Sequence, residues 1–263
     1  MKTQKSLPSI SCMCPTFGRV ALLEESIECF LRQDYEGKLE LIIINDLVEQ
    51  TLSITDPRIN ESREIRIINM PERFGTLGEK RNAGVEFSRY EWIMTWGDDD
   101  IHLPWEISEA ICWLQNNNKE IGFLGNYFFD NGGKTEIRLK QSLPGPFLMK
   151  KERFVEIGGI SEINCGEDTS FYSKVCKSKI VHIRMYCRPG FIYRWGTGHY
   201  HISGLGPDKD GKVSGYTKIG EWMKKAMSEG KIPSGEVQLR PHLIKDWVQI
   251  CESLEKESST EPA

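Results

Sequence analysis

The chain has 263 residues, of which 39% are apolar and 10% aromatic, enough to bury the core of one large α/β domain or two small ones. Its formal net charge of -4 argues against a general nucleic-acid-binding protein, which is usually basic, although a local basic groove stays compatible with it. No apolar run reaches the length of a bilayer span, and residues 1–8 lack the apolar segment of a signal peptide.

Strands and helices alternate along the first hundred residues. Residues 8–14, 39–44 and 65–68 predict strands, and the second is a near-continuous apolar run, typical of a parallel sheet covered on both faces. Residues 20–31 show apolar side chains at helical spacing, and Leu77 to Phe87 predicts a second helix. This order predicts a doubly wound, mostly parallel sheet.

The next strand, Trp92 to Trp96, runs through Gly97 into three consecutive carboxylates, Asp98–Asp100. These acids repel one another, and burying them is costly unless a cation is present. Pro104 suits the first turn of a following helix, so the acids lie on a tight strand-to-helix loop, where open α/β sheets bind ligands. The pattern favours a metal site over a solvated acidic turn.

Polar side chains follow three of the predicted strands. Thr16 follows the first, Asp46 the second and Asp98–Asp100 the fourth. Because parallel strands end at one edge of a sheet, we expect these residues to converge on one crevice. Lys80 and Arg81, on the first turns of a helix, are unfavourable for the helix dipole, which indicates a nearby anion such as a diphosphate; a solvated surface pair is the alternative.

The second half of the chain predicts a mixed structure. Asn131 to Gly133 indicates a β-hairpin between extended segments, and residues 151–157 a short helix closed by glycines. A Gly-rich loop is predicted from Gly196 to Gly215, and helices over residues 216–228 and 236–255, with a frayed tail from Lys256 onward. On the loop, His199 or His201 could supply one metal ligand, and the sequence does not distinguish them.

Asp168 follows Glu167 at the start of a helix that runs to about Lys177. A capping Asp and a general base are both consistent with this position. A crevice with clustered acids, two cations and a separate carboxylate suggests group transfer from a diphosphate that a divalent cation bridges to the protein. Hard oxygen ligands favour Mg²⁺ or Mn²⁺.

The scattered cysteines form no C-x-x-C pair, and several lie in apolar segments as small hydrophobes. Neither a zinc site nor a disulfide framework is therefore predicted, and we expect a cytoplasmic location.

Five segments together resemble family 2 glycosyltransferases of the GT-A fold in order and approximate spacing. They are Ile10 to Arg19 (I-S-C-M-C-P-T-F-G-R), Glu40 to Asp46, Leu77 to Gly84 (L-G-E-K-R-N-A-G), Trp96 to Pro104 and Gly166 to Phe171. The resemblance implies an α/β GT-A domain over residues 1–215 and a C-terminal helical extension over 216–263. Within the domain, it implies a Rossmann-like nucleotide-binding half with a mostly parallel sheet over 1–104 and a mixed acceptor-binding half over 105–215.

The resemblance also implies an inverting transfer of a hexosyl or pentosyl group from a nucleoside diphosphate sugar, with a UDP-sugar as the first expectation, to an acceptor hydroxyl. The implied nucleotide-sugar-binding residues are Pro15, Thr16, Phe17, Arg19, Asp46, Lys80, Arg81 and Asp98. The implied metal ligands are Asp99 and Asp100, with His199 or His201, for Mn²⁺ or Mg²⁺. Glu167 and Asp168 match the family's E-D motif, whose Asp is the catalytic base.

The chain departs from the family pattern at three places. Asn45-Asp46-Leu47-Val48 stands where the family has D-D-G-S, which leaves the identity of the nucleotide open. Gly97 replaces the first acid of the D-x-D-D pattern. Arg194-Trp195 resembles the R-W of processive, membrane-bound relatives, but the sequence has no membrane spans, so we do not expect a processive synthase.

Two other functions stay open at this point. A nucleotidyltransferase acting on sugar phosphates would want a Gly-rich phosphate loop after the first strand, and Gly18 is the only glycine there. A catalytically inactive sugar-nucleotide-binding module would not need Asp98–Asp100 and Asp168. A hydroxylated base in nucleic acid is a possible acceptor that the acidic charge disfavours, and the sequence does not choose among other acceptor classes.

Overall fold

The computed structural model describes residues 7–141, 143–195 and 215–260. The strands in these ranges are β1 (Ile10–Thr16), β2 (Leu39–Asn45), β3 (Gln50–Ile54), β4 (Arg63–Asn69), β5 (Trp92–Thr95), β6 (Ile101–His102), β7 (Ile121–Leu124), β8 (Tyr127–Asp130), β9 (Thr135–Arg138), β10 (Phe147–Lys150), β11 (Ile183–Met185), β12 (Phe191–Arg194) and β13 (Gly235–Leu239). The helices are α1 (Val20–Leu31), α2 (Leu77–Phe87), α3 (Glu106–Asn116), α4 (Lys151–Ile157), α5 (Glu167–Lys177), α6 (Gly215–Ser228) and α7 (Trp247–Thr260).

A seven-stranded sheet in the order β11-β7-β10-β5-β1-β2-β4 forms the centre of the molecule. Its strands run parallel except β10, which is antiparallel to both β5 and β7. Side chains alternate between the two faces of the sheet, as a pleated strand requires. In β5, Met94 joins the core cluster on one face together with Leu23 of α1 and Ile107 of α3. Its neighbour Ile93 joins the cluster on the other face with Val85 of α2. The predicted mostly parallel sheet with helices on both faces is confirmed.

A second sheet, in the order β6-β12-β8-β9, covers the end of the central sheet where the acids lie. The β8–β9 hairpin closes at the predicted Asn131–Gly133 turn, where Asn131 Oδ1 accepts hydrogen bonds from the backbone N–H groups of Gly133 and Lys134. The short strand β6, directly after Asp100, was not predicted from the sequence. It pairs with β12 and thereby joins the acidic loop to the second half of the chain.

The prediction of one helix over residues 236–255 is wrong at its start. Residues 235–239 form β13, which pairs in parallel with β3, itself missed by the sequence analysis. Val237 and Leu239 are buried while Glu236 and Gln238 are exposed, and this alternation with period two is typical of a half-buried strand. The last helix begins at Trp247 and continues to Thr260, so the frayed tail expected from Lys256 is also wrong.

The C-terminal segment packs into the main body of the protein. Trp247 and Cys251 of α7 belong to the same core cluster as the inner residues of β1 and β5. The domain boundaries at residues 104 and 215 stay predictions. Within the described residues, no helix is both long enough and apolar enough to cross a membrane.

A buried carboxylate joins the strands at the end of the sheet remote from the acidic loop. Glu40 of β2 is fully buried and accepts hydrogen bonds from Ser11 Oγ at 2.6 Å and from Arg89 N and Nε, each at 2.8 Å. Arg66 on β4 contributes a further contact at 3.2 Å. Burial favours the neutral carboxyl, but these hydrogen bonds outweigh it and lower the pKa of Glu40 below its ordinary value.

We expect Glu40→Gln to lower the free energy of unfolding at pH 7 by about 2–3 kcal/mol, because two arginines lose their shared buried partner. Since the pKa is lower in the folded protein, the carboxylate stabilises fully above its unfolded pKa and less as pH falls through the folded pKa. The difference in the free energy of unfolding between wild type and variant should therefore become smaller below about pH 4.5.

Urea unfolding at pH 7, 5.5 and 3.5 measures this gap. The matched control is Glu64→Gln on the neighbouring strand, whose side chain is 35% exposed and pairs with the same Arg89. We expect it to change stability by less than about 0.5 kcal/mol. If the difference in unfolding free energy between wild type and Glu40→Gln stays constant from pH 7 to 3.5, the lowered pKa of Glu40 is contradicted.

Candidate active site

The carboxyl-terminal ends of β1, β2 and β5 border one cavity of about 270 Å³, as the parallel topology predicts. The predicted site residues that line it are Pro15, Thr16, Phe17, Arg19, Asp46, Lys80, Arg81, Asp98, Asp99, Asp100, Glu167 and Asp168. His199 and His201 lie outside the described residues. The cavity also has a wall from the second half of the chain, which includes Gly145 and Tyr193.

Asp98 is buried where β5 meets β1. Its Oδ2 accepts hydrogen bonds from Thr16 Oγ1 at 2.7 Å and from Arg19 Nε at 3.1 Å, and its Oδ1 contacts Arg19 Nη2. Burial raises the pKa of Asp98 above its ordinary value, although the Arg19 guanidinium opposes that shift. Both carboxylate oxygens are thus engaged within the protein, and Asp98 positions Thr16 and Arg19 at the cavity.

Arg19 is the cation that the three adjacent acids require. It stands at the N-terminal boundary of α1, after Gly18, whose φ of 73° lies in the left-handed region that favours glycine. Its guanidinium reaches back across the strand ends to form ion pairs with both Asp98 and Asp99. The nucleotide-binding role of Arg19 that the resemblance implies stays a prediction, and in the structure its guanidinium offsets the charge of Asp98 and Asp99.

The Asp100 carboxylate is buried at the cavity and contacts β12. Its Oδ1 accepts a hydrogen bond from the backbone N–H of Arg194 at 3.0 Å, and burial together with the Asp99 charge raises its pKa well above the ordinary value. A Cβ at Gly97 would lie 2.7 Å from Asp100 Oδ2, which gives the departure at position 97 a physical reason. A larger residue there would displace this carboxylate.

Arg194 is a site residue that the sequence analysis did not assign. Its Nε donates to the backbone oxygen of Asp99 at 2.6 Å, and its Nη1 pairs with buried Glu25 of α1 at 2.8 Å. The Arg194-Trp195 pair was its only signal in the sequence. Arg194 therefore fixes the acidic loop between α1 and β12.

Lys80 is buried, with 3% of its side chain exposed, so it is not a solvated surface cation. Its Nζ donates to the backbone oxygen of Thr16 at 2.6 Å and forms an ion pair with Asp46. Burial lowers the pKa of Lys80, and the Asp46 carboxylate opposes that shift. Asp46 is thus one anion beside Lys80, and Lys80 joins the ends of β1 and β2. A diphosphate near Lys80 and Arg81 stays a prediction.

Phe17 and Arg73 form the side of the cavity beyond Lys80. The Arg73 guanidinium carbon lies 4.2 Å from the centre of the Phe17 ring, a cation–π contact. The sequence analysis missed Arg73, although it follows β4, whose end lies at the same edge of the sheet.

Helix α2 holds the segment that precedes the candidate base. Its N-terminus is capped by Thr76, whose Oγ1 accepts from Glu79 N at 3.0 Å. Leu77 N donates to Asn164 Oδ1 at 3.0 Å, and Gly78 N donates to the Ile163 backbone oxygen at 3.2 Å. A Cβ at Gly78 would lie 2.0 Å from the Ser161 oxygen, so the close approach of the two segments requires glycine.

Glu167 and Asp168 have different surroundings on the first turn of α5. Glu167 is buried and forms an ion pair with Arg81 of α2 at 3.1 Å. Asp168 is half-buried, and its Oδ1 accepts the backbone N–H of Thr169 at 2.6 Å. Its Oδ2 lies at the cavity, 3.3 Å from where a Cβ at Gly145 would be. Both residues line the cavity, but the Glu167 carboxylate pairs with Arg81, whereas Asp168 Oδ2 lies near Gly145 of the cavity wall.

The acidic loop suits a cation that is shared with a substrate. No group of three or more His, Cys, Asp or Glu side chains in the described ranges could hold a metal ion by itself. Asp99, with 15% of its side chain exposed, borders the cavity with hard oxygen atoms, and Asp100 lies next to it. One or two carboxylates completed by substrate phosphates and water are the usual ligands of Mg²⁺, so the residues fit such an ion.

Comparison with known families agrees with this geometry. Residues 11–177 match the model of glycosyl transferase family 2, and this range holds the acidic loop, Lys80, Arg81, Glu167 and Asp168. The chain belongs to this family. A protein described as an uncharacterized glycosyltransferase from Haemophilus influenzae is 26% identical over 186 residues, which cover 63% of this chain and 61% of that protein.

Solved structures show the same fold. A Staphylococcus aureus TarS fragment, residues 1–349, in complex with UDP-GlcNAc matches with a TM-score of 0.62 at 13% identity, over 84% of this chain and 73% of that one. The same TarS fragment in another structure matches at 0.57 and 14% identity, over 71% of this chain and 60% of that one. The mannosyltransferase PcManGT from Pyrobaculum calidifontis, in complex with GDP-Man and Mn²⁺, matches at 0.51 and 14% identity, over 87% and 68%. These neighbours are GT-A glycosyltransferases, and the family 2 chain described here has the GT-A fold.

We expect Lys80→Met to lower the free energy of unfolding by about 3 kcal/mol, because it removes one member of a buried ion pair with Asp46. The double variant with Asp46→Asn should regain part of this loss. Urea unfolding of the two single variants and the double variant gives the coupling energy, which we expect to be about 2 kcal/mol. Additive losses would show that the ion pair does not hold the two strand ends together.

Proposed function

We propose that the protein is a metal-dependent, inverting glycosyltransferase that moves a hexosyl or pentosyl group from a nucleoside diphosphate sugar to an acceptor hydroxyl. Family membership supports glycosyl transfer. The observation that carries the finer assignment is one cavity lined by Asp99, by the cation Arg19 and by Asp168. This cavity offers a place for the donor diphosphate on one side and has a general base, Asp168, on the other.

Asp168 is the proposed general base. Its Oδ1 is fixed by the Thr169 N–H, which leaves Oδ2 at the cavity to accept a proton. Glu167 is a positioning residue in this proposal, since its ion pair with Arg81 sets the orientation of the first turn of α5. Residues 161–164 are hydrogen-bonded to α2, and these contacts fix where α5 begins. They therefore support the separate roles proposed for Glu167 and Asp168.

In the proposed reaction, the acceptor oxygen attacks the anomeric carbon of the donor sugar from the face opposite the diphosphate. The new carbon–oxygen bond forms while the bond to the β-phosphate oxygen breaks, and the configuration inverts. The acceptor proton passes to Asp168 Oδ2, and the electron pair of the broken bond leaves with the nucleoside diphosphate. Arg19 is close enough to the acidic loop to stabilise the charge that develops on the leaving group.

Asp99, with Asp100 beside it, would hold Mn²⁺ or Mg²⁺ together with the donor diphosphate. When bound, such an ion neutralises the leaving diphosphate as a Lewis acid. PcManGT, which shares the fold, is solved with Mn²⁺. The nucleotide-sugar-binding roles of Pro15, Thr16, Phe17 and Lys80 belong to the same proposal.

The donor nucleotide is the first thing to establish. TarS is solved with UDP-GlcNAc and PcManGT with GDP-Man, so the shared fold accommodates different bases. A UDP-sugar is our first choice. A thermal-shift screen of nucleoside diphosphate sugars, with and without Mn²⁺, identifies the base and the sugar class. Stabilisation by none of them would contradict the proposed function. The acceptor class and the cytoplasmic location stay predictions.

We expect Asp168→Asn to bind the donor within about threefold of wild type but to release nucleoside diphosphate at least 100-fold more slowly, because the amide cannot take the acceptor proton. Release is measured with the donor from the screen, with water or an added hydroxyl compound as acceptor. The control is Glu162→Gln, an exposed carboxylate six residues upstream that does not line the cavity. Undiminished release from Asp168→Asn would exclude it as the base.

We expect Asp99→Asn to remove the contribution of the metal to donor binding. Calorimetric titration of UDP should show an affinity gain of about tenfold or more on adding Mn²⁺ to wild type, and less than about twofold for the variant. The affinity measured in EDTA serves as the internal control and should agree between the two proteins. An equal Mn²⁺ gain in both would place the ion elsewhere.

A further inference from the structure

Helix α6 packs against the donor side of the cavity although it lies outside the segment that matches the family, residues 11–177. Ile219 is buried and lines the same cavity as Thr16 and Asp98. With Met223 and Leu47 it forms a small hydrophobic cluster that also contacts Phe17. The helix therefore covers the turns that follow β1 and β2, where the nucleotide is proposed to bind.

Two glycines permit this close packing. A Cβ at Gly18 would lie 2.8 Å from both Sδ and Cε of Met223, so the β1–α1 turn touches the helix directly. A Cβ at Gly220 would lie 2.6 Å from Nη1 of Arg73. The Arg73 guanidinium thus runs between α6 and the Phe17 ring, with the helix backbone on one side and the aromatic face on the other.

A second cavity of about 320 Å³ lies at this junction. It shares Phe17, Asp46 and Arg73 with the first cavity, so the two adjoin. The residues that line it are Phe17, Asp46, Leu47, Val48, Glu49, Arg73, Gly220, Glu221 and Lys224. The aromatic ring and the apolar side chains offer stacking and van der Waals contact, and the charged groups of α6 offer hydrogen bonds at the rim.

The two adjoining cavities differ in the groups that line them. Asp168 lies in the first cavity, as do Asp99 and Arg19, while Phe17 and Arg73 border both. If the donor sugar lies next to Asp168 and the diphosphate next to Asp99 and Arg19, the nucleobase of the donor points toward the second cavity. Aromatic faces and guanidinium planes are surfaces on which nucleobases stack.

We propose that α6 forms the outer wall of the nucleobase site and that Gly220, Glu221 and Lys224 take part in selecting the base. This inference rests on the proposed function, because it requires a nucleotide donor. The base occupies the second cavity, which Phe17 and Arg73 border, and Glu221 and Lys224 offer an acceptor and a donor group to its polar edge.

Gly220→Ala tests the proposal with a minimal change. The added methyl group must displace the end of the Arg73 side chain, while alanine favours the helix more than glycine does. A loss of binding therefore cannot come from a weakened helix. Calorimetry with Mn²⁺ compares the tightest binder among UDP, GDP, ADP and CDP with inorganic pyrophosphate. We expect affinity for the nucleotide to fall about tenfold, the effect of losing one good contact, and affinity for pyrophosphate to stay within about twofold.

Lys225→Ala is the matched control, because Lys225 lies on the same helix, is 75% exposed and lines neither cavity. It should bind both ligands as wild type does, and the melting temperature of Gly220→Ala should not fall. Unchanged nucleotide affinity in Gly220→Ala overturns the role of α6 and leaves the proposed function intact. An equal loss of affinity for nucleotide and for pyrophosphate overturns the proposal that α6 contacts the nucleobase. Failure of wild type to bind any of the nucleotides overturns the proposed function, and this inference with it.

Discussion

Negative charge buried at one edge of the central sheet is the constraint on which the arrangement of this protein depends. The parallel strands bring Asp46 and Asp98 to the same edge, where burying a carboxylate is costly unless a cation lies nearby. Lys80 of α2 and Arg19 at the start of α1 supply the positive charge. Arg194 of the second sheet fixes the acidic loop. The same contacts join β1, β2, α1, α2 and β12, so the charge balance of the site also orders the fold around it.

Much of this could be predicted from the sequence, and the failures have physical causes. Apolar runs and helical spacing are local signals, so the central strands and the bounds of α2 were predicted correctly, and parallel topology then predicted the convergence of the strand ends. The environment of Lys80 was not predictable, because its partner Asp46 lies 34 residues away and no local pattern reveals the ion pair. Strand β13 was missed for a related reason, since its partner β3 lies far along the chain.

The candidate site, too, was predictable from the sequence only in part. Residue types at the strand ends indicated the acids, and those on the first turns of helices indicated the cations and the candidate base, all of which border one cavity. What each residue contacts depended on geometry: Asp98 supports Arg19, Glu167 supports Arg81, and Gly97 leaves room for Asp100. The segment that matches the family contains the proposed catalytic residues, whereas α6 lies outside that segment and borders the second cavity.

The pairing of β3 with β13 has a consequence for the order in which the protein can be completed during synthesis. Residues 50–54 leave the ribosome long before residues 235–239, and the two strands run side by side in parallel. Contacts between such distant segments form slowly, since a long loop must close before any hydrogen bond forms. The edge of β3 therefore waits unpaired while the central sheet can already assemble, and it remains open to other strands in that interval. A nascent chain can therefore form the central sheet and the acidic loop before α6 and β13 have been synthesised.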